Sequence, residues 1–174
     1  MNIRVNGFGA GKITMLRMGQ MEFDRIRQHG EETYPNECCG VLLGYVGTDG
    51  NRVIDAVSAE NTRSDSAHNR YRIAPSELIR IQQQARHRGL DIVGFYHSHP
   101  DHPAEWSKTD LEEAHWLGCS YVITSVAGNA AGGGAGTGRC RATETNSFLL
   151  AGTGEEDKRL EREPIEVTAG VGAR

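Results

Sequence analysis

The chain has 174 residues, a hydrophobic fraction of 37% and a net charge of -4. That length fits one domain, and the absence of any basic tract argues against a nucleic-acid partner. No apolar run approaches the roughly 18 residues of a membrane helix. No membrane partner is therefore expected, and with no apolar secretory stretch in residues 1–7 the expected location is the cytoplasm.

Residues 1–11 hold three glycines and little periodicity, and read as a flexible arm. Residues 12–16 suit a first strand. Residues 20–34 suit a helix, with Phe23 and Ile26 spaced for one buried face and Pro35 as its stop. The apolar run CGVLLGYV at 39–46 is of strand length, a turn signal follows at 48–51, and residues 52–59 alternate as the partner strand of a hairpin. A polar loop is expected over 60–69 and a short strand over 71–73. Pro75 sits well in the first turn of a helix running to about Arg88, with Leu78, Ile81 and Ala85 as its apolar stripe and Gly89 as its stop.

Residues 91–99 begin as a buried strand and end in two histidines. Ser107 is a good N-cap for a helix to about Leu117. A strand is expected over 121–126, a glycine- and alanine-rich loop over 128–138, and late strands over 139–145 and 147–150. The mixed charges of 155–163 read as a solvated helix or linker, and 165–167 as a last edge strand. The fold class is α/β, with α+β as the alternative: a mixed central sheet flanked by about three helices. The organisation expected is an arm over 1–11, one domain over 12–150 and a charged C-terminal extension over 151–174. Cys38, Cys39, Cys119 and Cys140 show no C-x-x-C pairing and read as buried reduced thiols.

The chemistry concentrates in His97-Ser98-His99-Pro100, followed by Ser107 and Asp110. A strand repeats its side-chain direction every two residues, so His97 and His99 leave one face together. Pro100 takes the chain out of the sheet, and the seven residues between His99 and Ser107 allow a return in which Asp110 supplies a hard oxygen ligand. Three protein ligands leave a fourth tetrahedral position open, which separates a catalytic zinc site from a closed structural one. Taken singly, Ser107 and Asp110 also describe an ordinary helix start. Hydrolysis also needs a base. Glu37, between a helix stop and an apolar strand, is one candidate, and a surface glutamate at a helix end is its equal alternative.

His97-x-His99, seven residues, Ser107-x-x-Asp110, with the upstream Glu37-Cys38-Cys39-Gly40, resembles the JAMM motif of the MPN+ (JAB-domain) zinc metallopeptidases, most of all their compact bacterial branch. The similarity runs from about Met21 to Phe148. It implies a single MPN/JAB-like domain binding one zinc ion through His97, His99 and Asp110. Glu37 would be general base and then general acid, and Ser107 would hydrogen-bond the oxyanion. The implied reaction is hydrolysis of a peptide or isopeptide bond, by attack of a metal-bound water, after the C-terminal glycine of a ubiquitin-like or sulfur-carrier protein. The alternatives are a non-catalytic MPN scaffold, which would lack part of this ligand set, and a RadC-like DNA-associated domain, which would carry a further module and a basic surface. His102 reads as an exposed loop residue, His115 as surface or close to the ligands, Trp106 as an anchor for the metal loop, and Asn61 as a channel-border candidate of low weight.

Overall fold

The computed structural model describes residues 14–128 and 140–169. The expected arm and most of the glycine-rich loop lie outside them. In chain order the elements are β1 (Leu16–Gly19), α1 (Gln20–Thr33), β2 (Cys39–Gly47), β3 (Gly50–Ala59), α2 (Pro75–His87), β4 (Asp91–Pro100), α3 (Lys108–Glu113), β5 (Ser120–Ala127), β6 (Arg141–Ala151), β7 (Arg159–Glu163) and β8 (Ile165–Thr168). The eight strands form one mixed sheet in the order β7-β6-β5-β4-β2-β3-β1-β8, and the fold is α+β.

The sheet is covered on both faces. On one face Leu16, Met18, Leu42, Val53, Val93, Tyr96 and Val122 pack with Ile26 of α1. On the other, Val41, Leu43, Phe95, Tyr121, Ile123, Phe148 and Leu150 pack with Ile81 and Ala85 of α2. The strands therefore carry apolar side chains both ways, and residues 39–44 of the CGVLLGYV run are buried without a break because β2 is central, while Tyr45 and Val46 emerge at its end. A glycine permits the close seating of α1: a Cβ at Gly30 would lie 3.0 Å from Val126 and 3.2 Å from Ser98.

Five elements differ from expectation, the first being the strand expected over 12–16, which is β1 at Leu16–Gly19. Residues 71–73 form no strand. Asn61 Oδ1 takes the Arg72 amide, and the Thr62 amide reaches the Arg72 carbonyl, so that segment folds back as a loop. α3 stops at Glu113 and not near Leu117, because Ala114 leaves the helical backbone at φ -79°, ψ 115° and is buried. The two late strands are one, β6. The mixed-charge run 155–163 is a turn and then β7, neither helix nor linker. Its burial follows no two-residue alternation: Leu160 and Glu163, three positions apart, are the buried residues, and one of them is a carboxylate. Residues 165–168 do form an edge strand, parallel to β1 on the far side of the sheet.

Candidate metal centre

The register of three strands builds the site. β4 pairs with β5 in parallel, His97 beside Ile123 and His99 beside Ser125, and with β2 antiparallel, His97 beside Cys39. Phe95, His97 and His99 share one face. Ser98 points to the other, where its Oγ accepts from the Cys38 amide at 2.9 Å. Antiparallel pairing carries the chain back from Cys39 to Glu37 along the end of β4, so a residue 60 positions upstream of His97 comes to the histidine pair. Asn61 Nδ2 donates to the Glu37 carbonyl at 3.2 Å and the Glu37 amide donates to the Ala67 carbonyl at 2.7 Å, which pins that segment against the loop after β3.

His97, His99 and Asp110 converge, with one donor atom from each lying within 4.8 Å of the others. The two Nε2 atoms are 3.0 Å apart, and Asp110 oxygens lie 3.2 Å from His97 Nε2 and 3.6 Å from His99 Nε2. A tetrahedral ion with bonds of ~2.1 Å spaces its ligands by about 3.4 Å, so this donor set fits one zinc ion. The His99 ring is oriented by its Nδ1, 2.9 Å from the Pro103 carbonyl, which turns Nε2 toward the cluster. Among the described residues the buried His97 Nδ1 has no hydrogen-bond partner, and that ring is instead stacked on Tyr71, with centroids 4.7 Å apart.

Ser107 caps α3 and Asp110 is its third residue, so the helix start and the ligand are one structure. The Ser107 amide and Oγ each donate to Asp110 Oδ2 at 2.6 Å, and the Asp110 amide donates back to Ser107 Oγ at 3.2 Å. The ordinary helix start and the chemical site coincide here.

Burial lowers the pKa of His97, keeping it neutral as a ligand must be. Burial acts the same way on His99, but the Asp110 carboxylate and the Pro103 carbonyl outweigh it and raise its pKa. Burial opposes ionisation of Asp110, yet the two histidines hold it well below the usual carboxylate range. Burial pushes Glu37 up to about 8, with His99 pulling against it and Asp110 and Glu113 adding to the rise. Glu37 is 4% exposed, so the surface alternative for this residue is excluded. Burial also pushes the Cys38 and Cys39 thiols up to about 12, so neither is a nucleophile near neutral pH.

Other candidates fall away from the cluster. His102 is exposed, and His115 is exposed and paired with Glu155 at 3.0 Å. Trp106 is 38% exposed, more open than a buried anchor. Tyr71 and Asn61 do more than their sequence positions suggest. A polar loop has no period, so neither the stacking of Tyr71 nor the four hydrogen bonds of Asn61, to Glu37, Arg70, Arg63 and Arg72, leaves a pattern to read.

Sheet, flanking helices and site define an α+β domain that presents two histidines and an aspartate, with a buried glutamate beside them, at the end of a central strand. Residues 20–137 match the family model described as prokaryotic homologs of the JAB domain, and the chain belongs to that family. It is 37% identical over 109 residues to the desampylase of Haloferax volcanii, covering 60% of this chain and 76% of that one. It is 30% identical over 99 residues to the CysO-cysteine peptidase of Mycobacterium tuberculosis, covering 56% of this chain and 64% of that one, and so spans less than two thirds of that relative. Among solved structures, a Salinibacter ruber protein superposes with a TM-score of 0.60 at 37% identity, covering 86% of this chain and 91% of that one. A Desulfitobacterium hafniense protein reaches 0.69 at 23% identity, over 91% and 96% of the two chains, and supports the fold. Among the described residues no helix is long and apolar enough to cross a membrane.

Proposed function

We propose that this chain is a zinc-dependent hydrolase that cuts the amide bond after the C-terminal glycine of a ubiquitin-like or sulfur-carrier protein. The observation that carries the reading is the convergence of His97, His99 and Asp110 within 4.8 Å beside the buried carboxyl of Glu37. The family, and relatives named desampylase and CysO-cysteine peptidase, support the substrate class. A relative from Thermus thermophilus, 29% identical over 105 residues (60% of this chain, 66% of that one), is named a probable TtuB-protein conjugate cleaving protease.

His97 Nε2, His99 Nε2 and an Asp110 oxygen would hold the ion. Zinc bound there would polarise a carbonyl and lower the pKa of water toward 7. Glu37 accepts a proton from the attacking water and returns it to the leaving amine. Its raised pKa suits both halves of that exchange near neutral pH. The Ser107 hydroxyl keeps its acceptor role toward the Asp110 amide while its proton turns to the oxyanion. The thiols of Cys38 and Cys39 take no part, so no covalent intermediate forms.

Cleavage mapping tests this. The zinc-loaded protein is given two substrates made from one carrier, the first extended by a single cysteine and the second joined through its terminal glycine to a lysine side chain. Mass spectrometry should show release at the glycine in at least one of them. Loss of neither group, with stoichiometric zinc bound, would place the chain with the partner-binding scaffolds.

A further inference from the structure

We propose that Lys158 is a positioning residue for Asp110, which makes the β6–β7 turn a working part of the metal centre. The inference rests on the reading of His97, His99 and Asp110 as a zinc site. It concerns a segment beyond the stretch matched to the family, residues 20–137.

By its own residues α3 is weakly held. It is six residues long and none of them is buried; Leu111 packs only partly against the core. A helix of that length does not persist on its own in water, and a helix end leaves backbone carbonyls without intrahelical partners. At its N-terminal end the capping box already uses Asp110 itself. At its C-terminal end the Lys158 ammonium donates to the Glu112 carbonyl at 3.1 Å and to the Ala114 carbonyl at 2.9 Å. Its side chain is only 9% exposed, and its charge is balanced by Glu155 Oε2 at 2.6 Å. A cation at a helix C-terminus also suits the helix dipole.

The turn that presents Lys158 is itself well specified. Asp157 accepts from the Thr153 amide, the Thr153 hydroxyl and the Gly154 amide at 2.8–3.0 Å. Gly152 takes φ +130°, and a Cβ there would lie 2.9 Å from the Lys158 Cα. His115, just past α3, is bridged to the same turn through Glu155 at 3.0 Å. The turn therefore grips α3 at the end opposite its ligand, and the ligand's place over the histidine pair depends on that grip.

The test measures zinc affinity of the full chain by competition with a chromophoric chelator, alongside thermal melting of the metal-free protein. Lys158→Met keeps the apolar stem and removes the donors, and should weaken zinc binding by about tenfold, while Lys158→Arg restores most of the loss. In an Asp110→Ala background Lys158→Met should add no further loss, because its effect passes through Asp110. Unchanged affinity in Lys158→Met, or the same loss with and without Asp110, would overturn the proposal. If Lys158→Met melts before it can be titrated, Asp157→Ala loosens the same turn with the ammonium intact; weakened zinc binding supports the proposal and wild-type affinity overturns it. A wild-type chain that binds zinc and cleaves no conjugate overturns the proposed activity and leaves this inference standing.

Discussion

Glu37, two residues before β2, and Glu163, in β7, are both 4% exposed, and burial raises the pKa of each. They differ in what surrounds them. Glu163 sits toward the end of the sheet where β5 begins. Its Oε1 accepts from Ser147 Oγ at 2.8 Å, and the Ser120 and Thr14 hydroxyls also favour its ionised form against the cost of burial. Glu37 sits at the far end of β4, where its backbone is pinned on both sides, yet among the described residues no hydrogen bond reaches its carboxylate. Its electrostatic neighbours are a histidine and two more carboxylates. A buried acid tied to hydroxyls through one oxygen, its Oε2 without a hydrogen-bond partner among the described residues, is part of the packing. A buried acid held only by its backbone, facing a cluster that fits a cation, is free to exchange a proton.

Among single substitutions the largest effect should come from Glu37. Glu37→Gln should leave zinc stoichiometry intact and reduce kcat by about 100- to 10,000-fold. Removing zinc with a chelator should abolish cleavage and lower Tm, since ligand bound at 100 times its Kd stabilises the fold by about 2.7 kcal/mol; zinc, added back, should restore both. Tyr71→Ala removes the ring stacked on His97 and should weaken zinc binding by about tenfold, whereas Tyr71→Phe keeps the ring and should bind as wild type in the same chelator competition.

Glu163 should give the smallest effect, and one confined to stability. Its folded pKa is raised, so the favourable protonated form is fully present below the unfolded value of ~4.5 and its contribution is lost as pH rises through the folded value. Glu163→Gln should therefore match wild type in melts at pH 4 and exceed it by about 2–4 °C at pH 8, with cleavage unchanged. Loss of cleavage in Glu163→Gln, or none in Glu37→Gln, would collapse the contrast between the two acids.

Much of this was legible in the chain itself. The two-residue spacing of His97 and His99 becomes a shared face as soon as the segment is a strand, and Ser107-x-x-Asp110 becomes a capping box as soon as it begins a helix. Its position left Glu37 even between a base and a surface glutamate, and only the family resemblance favoured the base, because its approach to His99 depends on β2–β4 register, which no local pattern encodes. Residues 71–73 and the run over 155–163 were misread for a related reason. Their structure is set by single polar side chains: Asn61 ties the first through Arg72, Asp157 closes the turn of the second on Thr153 and Gly154, and Lys158 and Glu163 reach partners far away in sequence. Composition described those stretches as solvated, while tertiary contacts gave them positions at the site and at the sheet edge.

The most direct test of the central claim is single-turnover cleavage of a carrier conjugate by wild type and Glu37→Gln, each with zinc content measured on the same sample. The account predicts one zinc per chain in both, release at the carrier's terminal glycine by wild type, and release slowed by at least about 100-fold in the variant. Equal rates at equal zinc content would contradict it.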